Sequence, residues 1–275
     1  ALVASYNMYT QKPQLVILAA STVSKHFAQG YIQTEDLKPN ETSQTPIPFS
    51  ILGIVKGSEL LHLRYEQLIP LVQPAEHPDR AFQIITGDFV TTDEGTGIVH
   101  TAPTFGADDA RVAAEWNIPG MLIKDENEKL VPLVDLQGKF RPEMGAWAGM
   151  YVKQEYYEAG QEPEKSVDVS ISIYLKTHNK AFKVEKYEHS YPHCWRTDKP
   201  IIYYPLDAWF IKTTAAKERM VELNKTINWK PASTGEGRFG NWLENLVDWN
   251  LSRSRYWGTP LPIWRTEERE EQICI

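Results

Sequence analysis

Cysteine is nearly absent. The 275 residues hold two, Cys194 and Cys274, so no disulfide framework is implied and a reducing compartment fits. Long apolar runs are missing too. No stretch reaches the roughly 20 residues that cross a bilayer, and no signal-peptide pattern opens the chain. There is no initiating Met, and residues 1–6 read as a strand inside a domain, so the sequence is expected to be a fragment of a cytoplasmic, monomeric protein with no membrane partner. Positive charge is in short supply, with 29 Lys and Arg against 36 acids and a net charge of −7. That balance argues against a dominant nonspecific nucleic-acid surface. It leaves room for a local one, because Lys176, Lys180, Lys183, Lys186, Arg196 and Lys199 gather in the second half. No repeat or low-complexity tract occurs, and the charge run at 267–271 reads as solvated.

What the chain does have is a stretch around which the rest is organised, residues 95–109, reading GTGIVHTAPTFGADD. Glycines at 95 and 97 permit positive φ and close approach of another backbone or a ligand. The Ile-Val-His-Thr run reads as a short strand, which Pro103 ends because it offers no N–H. Asp108 and Asp109 open a helical run through Ala113, Ala114 and Trp116, where carboxylates suit the free N–H groups and the macrodipole. One of the two carboxylates is also placed to bind an ammonium group. A plain strand–turn–helix connection with an Asp cap fits the local pattern, and on that pattern alone it is favoured.

Taken in order, the length suits two domains or one large one. Strands are expected over 2–9 and 14–19, around a Gln11-Lys12-Pro13 turn, and a helix over 21–29 with Gly30 as its stop. Residues 34–48 and 73–80 read as loops, 49–56 and 82–86 as strands, and His62 as a surface or packing residue. Short strands flank the turn at 126–128, and 140–150 is an irregular cover. Many short strands with few helices suggest a closed or partly closed barrel. The texture changes near Tyr151. A helix over 166–182 and a strand over 183–189 are followed by strands at 201–204 and 208–212 and helices near 214–224 and 235–245. That alternation fits part of a doubly wound domain.

The 95–109 stretch, with its Gly-Thr-Gly-Ile-Val-His-Thr-Ala-Pro and following Asp-Asp, resembles the editing-site signature of class I aminoacyl-tRNA synthetases for branched aliphatic amino acids. His189-Ser-Tyr-Pro-His-Cys-Trp-Arg196 and Asp248-Trp-Asn-Leu-Ser-Arg-Ser-Arg-Tyr-Trp-Gly-Thr-Pro260 are similar to the isoleucyl branch of that family, with the valyl branch as its rival. The resemblance is weak over residues 1–50 and strong from about Val55 onward. It implies an α+β chain: a β-barrel editing domain with peripheral helices over 1–190, then a partial α/β Rossmann-like segment of the catalytic domain over 191–275. The implied function is hydrolysis of valyl-tRNA(Ile) within an enzyme that joins isoleucine to tRNA(Ile) with ATP.

By that resemblance Asp109 anchors the α-ammonium of the misacylated 3′ end and orients its ester for water. His100 lines the pocket and limits the side chain admitted; a lone His on an apolar strand is otherwise a packing residue. Gly97, Thr101 and Asp108 are the expected substrate contacts, Thr101 and the Gly97 backbone toward the terminal adenosine, with Asp108 the likelier helix cap. A second pocket is needed because one methylene separates the two amino acids by only about 1–3 kcal/mol, a limit for which isoleucine and valine are the usual illustration.

Two features depart from the family pattern. No Thr-Thr-Pro-Trp run occurs, and the threonine-rich strand of the family is expected to lie upstream of residue 1. Phe105 stands where many relatives carry His. Cys194 lacks the second Cys of a Cys-x-x-Cys half-site because Thr197 takes that position, so no metal is expected there. Arg253, Arg255 and Trp257 are expected to serve tRNA or active-site packing. The adenylation motifs of the His-Ile-Gly-His and Lys-Met-Ser-Lys-Ser types are absent. Editing is expected to need no cofactor, with ATP and Mg confined to the full-length enzyme. A noncatalytic RNA-binding barrel is the alternative of a different class; basic groove residues with stacked aromatics would favour it.

Overall fold

The computed structural model describes residues 1–38, 46–253, 260–266, 268 and 271–274. The described residues fall into two compact units, Ala1–Pro205 and Leu206–Ile275.

The first unit begins with a four-stranded sheet in the order β2-β1-β4-β3, built from β1 (Leu2–Tyr6), β2 (Pro13–Ile17), β3 (Tyr31–Gln33) and β4 (Ile47–Gly53). β1 runs antiparallel to both neighbours, while β3 and β4 are parallel. The expected opening hairpin is present, with Gln11 in the left-handed region at its turn (φ 59°). The segment expected as a helix over 21–29 forms a single tight turn, Ala20–Thr22, and one helical turn, α1 (Val23–His26), before Gly30. Val3, Leu18, Val23, Phe27 and Phe49 are buried together, with Tyr31 and Phe182 packed against them. Phe27 meets Phe49 and Phe182 at ring distances of 4.8 and 5.1 Å.

A polar clamp ties this sheet to a distant part of the chain. Asn7, fully buried, donates from Nδ2 to the Ala181 carbonyl at 2.7 Å and accepts on Oδ1 from the N–H groups of Tyr9 and Thr10. The Val184 N–H donates to the Tyr9 hydroxyl at 2.9 Å.

Beyond β4 the chain is mostly irregular as far as α2 (Ala107–Glu115). Residues 82–86 were expected as a strand. They instead run beside 62–65 with Arg64 and Gln83 as an isolated bridge, and their bonds do not repeat as a ladder. His62 lies edge-on to Trp116 at 5.6 Å, a packing role. β5 (Leu122–Lys124) and β6 (Leu130–Pro132) form the expected short ribbon. α3 (Val167–Thr177) starts where Ser166 Oγ accepts from the Val169 N–H at 3.3 Å. Val167 and Tyr174 of α3 cover Met144 and Trp147 in a second core, and Trp147 Nε1 donates to Ser170 Oγ. The segments at 183–189 and 201–204, expected as strands, form no ladder.

The second unit holds β7 (Phe210–Ile211), α4 (Lys217–Thr226), α5 (Ser233–Glu236), α6 (Arg238–Glu244), β8 (Trp249–Asn250), β9 (Ile263–Arg265) and β10 (Gln272–Cys274). β7 pairs with β8 and β9 with β10. Buried Asn224 donates to the Gly235 carbonyl and accepts from Trp229 Nε1, each at 2.9 Å, joining the end of α4 to α5. Asp248 accepts from the Thr214 N–H and hydroxyl, which hold its carboxyl below the usual range. Arg255 and Trp257, and most of the 267–271 charge run, lie outside the described residues. The fold is therefore mixed α+β with small sheets. Among the described residues the assigned pairings do not close into a ring, and the barrel belongs to the functional proposal below.

Candidate functional site

Residues 95–109 are held at both ends. Gly95 and Gly97 take φ of 55° and 69°, values that a side chain disfavours. At Gly97 the reason is also contact: an added Cβ would stand 2.7 Å from the Ala19 Cβ. The Ala19 N–H donates to the Thr96 carbonyl at 2.7 Å, the Ser21 hydroxyl donates to the Thr92 carbonyl, and His26 Nε2 lies 2.7 Å from the Gly95 carbonyl. A carbonyl can only accept, so that bond puts a proton on Nε2. The glycine turn is thus laced to the segment between β2 and the end of α1. Ala19, Ser21 and His26 carry no motif, and sequence reading did not find them.

The run expected as a strand is extended but unpaired, with Ile98, Val99 and His100 exposed and Thr101 half-buried. The chain then turns, the Phe105 and Gly106 N–H groups both donating to the Ala102 carbonyl at 3.1 Å. Gly106 is the N-cap of α2 and offers no side-chain bond. Asp109, in the first turn, reaches back so that Oδ2 accepts from the Ala102 N–H at 3.2 Å. Asp108 is exposed. The carboxylate that closes the turn is therefore Asp109, not Asp108, whose expected cap bond does not form. Glycine is needed at 106 because a Cβ there would overlap the Asp109 carboxylate. Phe105 rests edge-on against Tyr204, with ring centres 5.9 Å apart.

The structure thus brings Asp109 to the turn at Ala102. No hydrogen bond joins Asp109 to His100 among the described residues. Gly97 and Thr101 lie on the same continuous loop. A cavity of about 650 Å³ opens beside α2, lined by Gly87, Asp88, Arg111, Val112, Glu115 and Trp116. Asp109 does not line it, and Arg111 already pairs with Asp88 and Glu115 at 3.2 and 2.9 Å.

Cys194 sits in a tight turn, its N–H donating to the Lys199 carbonyl at 2.8 Å and its carbonyl accepting from Thr197 and Asp198. The Thr197 hydroxyl and the backbone N–H groups of Arg196 and Thr197 favour the thiolate and bring the thiol down to about 7. Among the described residues no three His, Cys, Asp or Glu side chains are grouped to hold a metal. Arg253 donates to the carbonyls of Asn250 and Ser252, bracing its own turn. No helix among the described residues is long and apolar enough to cross a membrane.

Comparison with known proteins meets this geometry from outside. The family described as tRNA synthetases class I (I, L, M and V) matches residues 148–275. An isoleucine–tRNA ligase of Cytophaga hutchinsonii is 58% identical over the whole chain, and one of Bacteroides fragilis is 52% identical over 99% of it. One of Thermoplasma volcanium is 45% identical over 79% of the chain. The chain spans about a quarter of the length of the first two, 25% in each case. Identity of this level, running through the 95–109 stretch and both later motifs, places the chain in the class I aminoacyl-tRNA synthetase family, among sequences of the isoleucine–tRNA ligase type.

Proposed function

We propose that the chain carries the post-transfer editing site of an isoleucyl-tRNA synthetase and hydrolyses valine wrongly esterified to tRNA(Ile). In this reading residues 1–190 are the editing domain, a barrel with peripheral helices, and 191–275 belong to the catalytic domain. The observation that carries it is the fixed position of Asp109: half-buried, at a helix start, on a signature-bearing turn pinned at both ends.

The bond to Ala102 uses one carboxylate oxygen, and a carboxylate has about four lone-pair sites. The same side chain therefore both closes the turn and accepts from the α-ammonium of the aminoacyl ester. Holding that ammonium fixes the carbonyl for attack by water. His100, Gly97, Thr101 and Asp108 are assigned to the pocket and the terminal adenosine. His100 acts as a steric limit rather than an obligatory base, since positioned water and the adjacent ribose hydroxyl suffice for ester hydrolysis.

The partners in this reading are tRNA(Ile) with its aminoacylated 3′ end and, for the whole enzyme, isoleucine, ATP and Mg. The two adenylation motifs are missing from this sequence, so its residues do not themselves make the ATP site. The relatives named above favour the isoleucyl over the valyl assignment. The test is deacylation of valyl-tRNA(Ile) by the intact enzyme and its Asp109→Ala variant. Loss of clearance with isoleucine activation intact is expected, and equal deacylation rates would remove Asp109 from the mechanism.

A further inference from the structure

From residue 187 to 195 every second residue is an aromatic or imidazole ring: Tyr187, His189, Tyr191, His193 and Trp195. Successive rings of the first four are neighbours in space, with centres 5.6, 6.0 and 6.3 Å apart. Tyr187 and His189 are near-parallel, at 22°. The row is not a core. Tyr187 and Trp195 are 82% and 81% exposed, and both His rings are on the surface. Its backbone has no ladder on 183–192, so pairing in a sheet does not account for the alternation. Water-exposed rings in such density are unfavourable without a partner.

Cations attend the row. Lys153 Nζ lies 4.2 Å from the centre of the Tyr191 ring and the Arg196 guanidinium 4.2 Å from that of Trp195. Lys183 and Lys186 pair with Glu185 and Glu188, and Lys199 and Asp198 close the turn at Cys194. Five cations stand against three acids here, within a chain of net charge −7.

We propose that Tyr187, His189, Tyr191, His193 and Trp195 form a stacking platform for unpaired nucleotides. Rings offer faces to bases, and flanking Lys and Arg offer charge to phosphates. The spacing selects the partner further. Bases stacked on one another rise about 3.4 Å per residue, well short of the step along this row. A strand that uses successive rings must spread its bases, which a duplex cannot do without unpairing. The inference goes beyond the hydrolytic reading and needs only that the chain meets single-stranded RNA.

The test is fluorescence anisotropy with the full 275-residue chain and a fluorescein-labelled, unpaired oligoribonucleotide of about eight nucleotides, within the site sizes such surfaces cover. The same sequence annealed to its complement is the comparison. The single strand is expected to bind, more weakly as salt rises. Tyr187→Ala and Trp195→Ala should each weaken it roughly 5- to 150-fold, and Trp195→Phe should stay near the parent. These positions are exposed, so the variants are not threatened by core defects. Equal binding of duplex and single strand, or alanine variants that match the parent, would overturn the platform. Deacylation by the intact enzyme is read separately: its loss with oligonucleotide binding intact counts against the editing reading alone.

Discussion

Asp109 and Ala102 are joined by a carboxylate-to-amide hydrogen bond of 3.2 Å across the turn that opens α2. The bond separates two roles that a single alanine substitution would confuse. Asp109→Asn keeps an oxygen for the Ala102 N–H but removes the negative charge that an ammonium needs. Asn is therefore expected to retain most of the stability while losing editing as fully as Ala does. Ala should also lose the bond itself, worth roughly 1.5–3 kcal/mol for a charged acceptor and less at this half-buried position. Denaturation midpoints and valyl-tRNA(Ile) clearance, measured on the same variants, check both halves. An Asn variant that edits normally would show that charge is irrelevant.

Gly95 and Gly97 offer a matched pair. Both have positive φ, but a Cβ at Gly95 meets open space, whereas one at Gly97 meets Ala19. Gly95→Ala is expected to cost about 1–2 kcal/mol from backbone strain alone. Gly97→Ala should exceed it by about 1–3 kcal/mol for overpacking. Equal losses in urea denaturation would mean that the turn is not seated on Ala19.

Cys194 is expected to titrate near neutrality. Its acidity is raised by hydrogen bonds that favour the thiolate, so the reactive form is lost as pH falls through about 7. In a Cys274→Ser background, the iodoacetamide rate should climb through pH 7 and level off above 8. Thr197→Val removes the largest of these bonds and should move the midpoint upward. A midpoint indifferent to Thr197 would assign the shift elsewhere.

Asn224 is the buried polar joint of the second unit, with Gly235 and Trp229 as its partners. Asn224→Leu fills similar space yet strands a carbonyl and an indole N–H. Each buried orphan costs about 1–3 kcal/mol. A clear fall in thermal midpoint is expected; an unchanged one would mean that water satisfies both groups.

Much of this was legible because side-chain patterns carried it. The β1–β2 hairpin, the Ser166 cap of α3 and the acidic start of α2 each announce themselves by residue type. The unpaired run at 98–100 was not legible, since Ile98 and Val99 have strand character whether or not a neighbour pairs with them. Nor was the docking of residues 92–97 onto Ala19, Ser21 and His26, where the acceptors are main-chain carbonyls common to every residue. Asp109 was identified from its motif, but adjacent carboxylates look alike in sequence. Only geometry shows which of the two folds back.

The clamp at Asn7 has a consequence for the chain as it leaves the ribosome. Its amide partner, the Ala181 carbonyl, lies 174 positions later. At translation rates of about 5–20 residues per second, the first hairpin waits on the order of ten to thirty seconds for it. Phe182, which completes the first core, arrives with it. Until then Asn7 must stay hydrated, and the nascent hairpin is the stretch most open to chaperones and proteases. Protection of β1 from proteolysis in stalled nascent chains should therefore begin only once residue 184 has emerged.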